Sequence, residues 1–203
     1  MSSYRNGIYN YSHTSYLDGG VIIDISEDCL DRVQKLLTGI RGGWQRAVGS
    51  ALKRAADAGK TAAKKQVTQE YTISQSTFLS ETRNYNHFRG DTEVVFGYKG
   101  HVIPLMKFHT SVGKDGNVVT TVKKSGGAAS LDHAFRAQMG RHVGIYERVG
   151  ADRFPVKELY GPATPQMIYS NEDVSDKAVD AMHGTFEKRI EQEILRVMNG
   201  WGM

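Results

Sequence analysis

The sequence predicts an α+β fold: a long N-terminal helix, a central antiparallel β-sheet and a C-terminal amphipathic helix. Two observations predict it. Apolar residues recur every third and fourth position from Leu30 to Val67, and about every fourth from Val174 to Val197, the spacing of one helical stripe. Between them, from Thr92 to Arg148, short alternating runs are punctuated by glycine-bearing turns, the spacing of strands. Helices flanking a meander of strands cover one face of an antiparallel sheet. The opposite face, or the sheet edge, is then polar or covered by a partner. A chain of 203 residues can bury one sizeable core, so we expect a flexible arm over residues 1–20 and a single α+β domain over 21–203.

The arm is rich in Tyr, Ser, Asn and Gly without a period, the composition of a segment that orders on assembly. Val21-Ile22-Ile23 is a strand or a staple leading into the first helix. Asp24 and Ser26 are cap-type residues, and Glu27 three positions after Asp24 gives a capping-box-like start. The helical stripe then takes in Leu30, Val33, Leu37, Ile40, Trp44, Val48, Leu52, Ala55 and Ala56, and continues to Val67. Gly39, Gly42 and Gly43 interrupt it at about 1 kcal/mol each relative to alanine, which predicts a kink or break near Gly42. Past Ala55 the stripe turns from large residues to alanine, allowing close approach of another backbone from this chain or another subunit.

From Tyr71 to Arg83 the pattern is a strand or turn followed by a short helical turn. Strands are expected at Thr92–Lys99, Val102–Thr110 and Asn117–Lys124, divided at Lys99-Gly100-His101 and at Gly113-Lys114-Asp115-Gly116. Pro104 argues that its strand starts late or lies on an edge. Ser125-Gly126-Gly127-Ala128 is a mobile loop with Lys123 and Lys124 at its base. Two more strands, His133–Gln138 and Val143–Arg148, meet at a turn on Gly140. Phe154–Ile168, FPVKELYGPATPQMI, holds three of the four prolines and reads as one alternating strand running into an extended arm. The last helix spans Asn171 to Met198, with Val174, Ala178, Met182, Phe186, Ile190, Ile194 and Val197 on its stripe.

Composition narrows the function. No run approaches the roughly 18–20 apolar residues of a membrane span, and the N-terminus has no apolar signal core, so no membrane partner is expected. A lone cysteine, Cys29, excludes an internal disulfide framework and fits a reducing compartment; it reads as a small apolar residue in a first helical turn. The net charge of +4 is mildly basic, and its distribution matters more than its total. Lys53, Lys60 and Lys64 fall in steps of seven and four, one helical face, with Arg54 and Lys65 beside it. Such a stripe contacts phosphates without reading sequence, touches an acidic partner, or is a solvated face.

Catalytic patterns are sparse. The seven histidines form no HExxH and no helical pair. His133 and His142, on adjacent strands with Asp132 beside the first, are the best metal or acid–base constellation; the alternative is two half-exposed strand histidines. The glycines after Lys124 lack the spacing and ending of a phosphate-binding loop, and no GxSxG occurs. We expect no enzyme, no cofactor and no metal.

Phe154–Ile168 offers one Lys, one Glu and one Tyr, little chemistry but many contacts. Phe154, Val156, Leu159 and Tyr160 are apolar anchors, while Pro155, Pro162 and Pro165 lower the entropy cost of holding the segment extended. It grips either the next subunit or its own sheet. Together with TAAKKQVTQEYTISQSTF, VIPLMKF, HAFRAQM and GIYERVG, in that order, KELYGPATPQM resembles the phage minor tail protein Z family, related to tail completion proteins of long-tailed bacteriophages. The resemblance covers roughly Lys53 to Ile168. It implies a virion structural protein in the neck region of the tail, made in the host cytoplasm, that forms a homo-oligomeric ring at the head-proximal end of the tail tube. Tail-tube symmetry would make that ring a hexamer. Its implied partners are the tail tube or tail terminator protein, the head connector protein, and genome DNA passing through the channel. The family offers no catalytic residues to transfer. The second reading is a basic DNA-binding accessory protein acting on its own.

Overall fold

The structure, a computed structural model, describes residues 16–200. Its chain order begins with β1 (Tyr16–Asp24), α1 (Glu27–Leu36), α2 (Gly43–Glu70), α3 (Gln75–Ser80), β2 (Thr82–Arg89) and β3 (Glu93–Pro104). β4 (His109–Val112), β5 (Val118–Thr121), β6 (Ala129–Leu131), β7 (Ala134–Met139) and β8 (His142–Arg148) follow. β9 (Val156–Glu158), β10 (Tyr160–Ala163), α4 (Thr164–Tyr169) and α5 (Glu172–Met198) complete it. The chain is mixed α+β, with antiparallel sheets. β1 starts inside the stretch expected to be arm; the rest of that arm, residues 1–15, lies outside the described residues.

The described chain falls into two compact units. A helical unit comprises Gly19–Ala63, Asn84–Tyr98 and the residues from Asn171 onward. Ser26 caps α1, its side chain accepting from Cys29 N at 3.4 Å, with Glu27 and Asp28 in the first turn and Lys35 in the last, each favourable to the helix dipole. Asp24 is the last residue of β1. The long N-terminal helix is two helices. They part where the glycines predicted, with Gly39 (φ 89°) and Gly42 (φ 64°) in the left-handed region.

α2 buries Val48, Leu52, Ala55 and Ala56, and α5 buries all seven residues of its expected stripe. The two helices and β3 converge on Gly59. A β-carbon there would lie 2.5 Å from Met182 Cγ and 2.8 Å from Phe96 Cε1, so the missing side chain at Gly59 serves packing within this unit. Arg32 and Glu191 link α1 to α5 at 2.7 Å. β3 is hydrogen-bonded to β1 and to β2. β2 was not anticipated: its sequence, TRNYNHFR, is polar and mostly exposed, and lacks apolar alternation.

The strand-rich unit comprises Lys64–Arg83 and Lys99–Ser170, with the start of β1. No turn divides Lys99-Gly100-His101; β3 runs through it to Pro104. Gly100 marks a close approach, since a β-carbon there would sit 2.8 Å from the Glu81 carbonyl oxygen. The expected strand Val102–Thr110 is therefore the end of β3, a 3-10 turn at Leu105–Lys107, and β4. β4 and β5 form the expected hairpin, Val112 facing Val118, with Gly116 at φ 84° and Asp115 Oδ1 accepting from Asn117 N at 3.2 Å. The glycine-rich loop is a 3-10 turn, Lys124–Gly126, anchored by Lys124 Nζ donating to Thr68 O at 2.9 Å, and β6 follows it.

β7, β8 and β9 form a separate three-stranded antiparallel sheet, the β7–β8 turn lying at Gly140 (φ 64°). The segment after Phe154 is not an extended arm. β9 pairs with β8, β10 pairs with β3 through Tyr160↔Pro104 and Ala163↔Val102, and Leu159 between them donates to Ile145 O and accepts from Leu105 N. Pro165 stands in the first turn of α4, where a missing N–H costs nothing, and Gln166 Oε1 accepts from Ala163 N at 2.9 Å.

Candidate functional site

Of the six candidate interface residues, Leu159, Tyr160, Pro162 and Pro165 are buried within the strand-rich unit, and Val156 is half-buried. Their apolar surface already serves their own core. Phe154 is the exception at 62% exposure, and Val149, at 60%, joins it from the other end of the same loop. Val149 N donates to Pro155 O at 3.0 Å, which closes the loop, and the Arg153 guanidinium stands 5.6 Å from the centre of the Phe154 ring. Val149 escaped the sequence reading because an isolated valine before a glycine has no periodic signature. Only the register of β8 against β9, Arg148 facing Val156, sets it at a loop entrance.

In the helical unit Lys53 and Arg54 are exposed, whereas Lys60 is half-buried and its ammonium meets Asp57 at 2.8 Å. The hydrogen bond from Lys60 holds the Asp57 carboxyl below its usual range, with a second from Asn86 Nδ2 at 3.4 Å. Asp57, the single acid between Lys35 and Lys65, thus occupies the lysine at the centre of the predicted stripe. Lys64, half-buried, and Lys65, exposed, belong to the strand-rich unit.

The two candidate histidines are not together. In the β7–β8 register Ala134 faces Glu147 and Met139 faces His142, so His133, at φ 68° before β7, stands at the opposite end of the ribbon from His142. His142 Nε2 instead meets Glu158 Oε1 at 2.6 Å, and the Tyr160 hydroxyl donates to Glu158 Oε2 at 2.8 Å. Glu158 faces Tyr146 across the sheet, and two positions along β8 from Tyr146 is Gly144. A β-carbon at Gly144 would lie 2.5 Å from Glu158 Oε1; its absence makes the slot through which the carboxylate reaches His142. A carboxylate only accepts, so in this contact the imidazole donates from Nε2. Burial, and then the bond to Glu158, push the Tyr160 phenol well above its ordinary range, so it stays a neutral donor. The cluster ties β8, β9 and β10 together and orients one half-exposed imidazole.

No protein family, curated protein or solved structure matches this chain.

Cys29 is half-buried near the start of α1, and burial pushes its thiol up, away from the thiolate that reacts or binds metal. Among the described residues no three His, Cys, Asp or Glu side chains are grouped to hold a metal ion, and no helix is long and apolar enough to cross a membrane.

Proposed function

We propose that this chain is a non-enzymatic structural protein of a bacteriophage virion: a tail completion protein. In this reading it forms a homo-oligomeric ring, a hexamer, at the head-proximal end of the tail tube. There it helps join tail to head around the DNA channel, with the tail tube or terminator protein and the head connector as neighbours. The observation that carries the reading is the order of motifs between Lys53 and Ile168, ending in KELYGPATPQM. The exposed Val149 and Phe154 support it, because a ring needs one surface of each copy to dock on a different surface of the next.

The exposed Lys53, Arg54 and Lys65 favour the second reading, a basic accessory protein that binds DNA on its own. Size-exclusion chromatography with light scattering, with and without duplex DNA, separates the two. A mass several times that of the 22.5 kDa chain, independent of DNA, is expected for the ring. A monomer that binds DNA and releases it as salt rises would replace the ring with the second reading.

A further inference from the structure

A cleft of about 300 Å³ opens in the strand-rich unit where α3 ends, β2 begins and β3 passes. Gly100 forms its narrow side by letting β3 approach the Glu81 carbonyl. Among the described residues its ionisable lining is one acid, Glu81, with Arg83, Lys99 and His101, of which Lys99 and His101 already have partners. Glu81 is already engaged, its carboxylate taking the ammonium of Lys107. The end of α3, which would otherwise present bare carbonyls to the cleft, is capped: Ser80 Oγ donates to Thr77 O at 3.0 Å and Thr82 Oγ1 to Phe78 O at 2.7 Å. Both sources of negative potential are thus muted. Arg83 is exposed and has no hydrogen-bonding or ionic partner among the described residues.

We propose that this cleft is an oxyanion-binding site whose ligand is a phosphate group, gripped by the Arg83 guanidinium with Lys99 and His101 on the same wall. An arginine fork matches two phosphate oxygens at once, and the second positive charge of Lys99 suits a group of more than one negative charge better than a carboxylate. The phosphate comes either from a small phosphomonoester or from a nucleic-acid backbone.

The test is calorimetric titration of the full chain with inorganic phosphate at constant ionic strength. Saturable binding to one site is expected, weakened about tenfold or more by Arg83→Ala and unchanged by Arg189→Ala, an exposed arginine of the other unit. Arg83 is exposed, so the thermal unfolding of Arg83→Ala is expected to match that of the parent, which keeps the comparison interpretable. Competition arms with a nucleoside monophosphate and with a short DNA duplex tell the sources apart; displacement of phosphate by either supports the site and names its ligand class. Absence of saturable phosphate binding, or binding that Arg83→Ala leaves intact, overturns the proposal. Neither result bears on whether the chain assembles as a ring.

Discussion

Glu158 and Tyr98 show at the scale of single residues what strand register and burial add to a sequence. Nothing in KEL marks Glu158 as the partner of a histidine sixteen residues earlier. That pairing needs β8 and β9 aligned and Gly144 vacant between them. Tyr98, in the helical unit, is 3% exposed and donates to the Lys60 carbonyl at 2.9 Å. Burial drives its phenol far above the ordinary range. The folded state therefore favours the neutral phenol, and its contribution is complete below the unfolded pKa near 10. As pH rises past that point the unfolded chain ionises first, and stability falls by up to about 1.4 kcal/mol per pH unit until the folded pKa is reached. Tyr98→Phe should cost about 0.5–1.5 kcal/mol at neutral pH through the lost hydrogen bond. Its deficit should then shrink in alkali, since phenylalanine has nothing to ionise. Urea unfolding from neutral pH to about pH 11 checks this, and a deficit that stays constant throughout would refute the assignment.

At the scale of elements, helix α2 carries two interior glycines that the sequence cannot tell apart. Around Gly49 nothing lies within 4 Å of a built β-carbon, whereas at Gly59 it would meet Met182 and Phe96. Gly49→Ala should gain up to about 1 kcal/mol from helix propensity alone. Gly59→Ala has the same gain but forces apart a closed contact, which costs about 1–3 kcal/mol, so packing wins and the variant loses stability. Thermal unfolding should move in opposite directions for the two, and a shared direction would disprove this packing account. The same contrast explains what was legible. The α5 stripe, the glycine break before α2 and the Asp115-Gly116 hairpin follow from neighbours close in sequence, and each appears as expected. The continuity of β3 and the return of Phe154–Ile168 onto β8 and β3 follow from distant partners, Glu81 for Gly100 and Ile145 and Leu105 for Leu159. Gly100 therefore reads as a turn, and the prolines read as an extended arm, until those partners are in place.

At the scale of the whole molecule, the burial of Leu159 and Tyr160 changes which variants can test assembly. Truncating Leu159, at 7% exposure, would cost about 2–5 kcal/mol of stability, and any loss of a ring would then report misfolding. Val149 and Phe154 are free of that ambiguity, because each is more than half exposed and carries little of the core. Substituting both, as Val149→Asp with Phe154→Asp, puts two charges into a patch that a partner would have to dehydrate, a cost of several kcal/mol in an apolar contact. Unfolding of the isolated chain should stay within about 0.5 kcal/mol of the parent, as for most exposed positions. If the loop joins neighbouring copies, light scattering of the double variant should give the mass of the single chain under conditions where the parent assembles. A ring that persists with both aspartates in place would remove this loop from the contact and leave assembly to another surface.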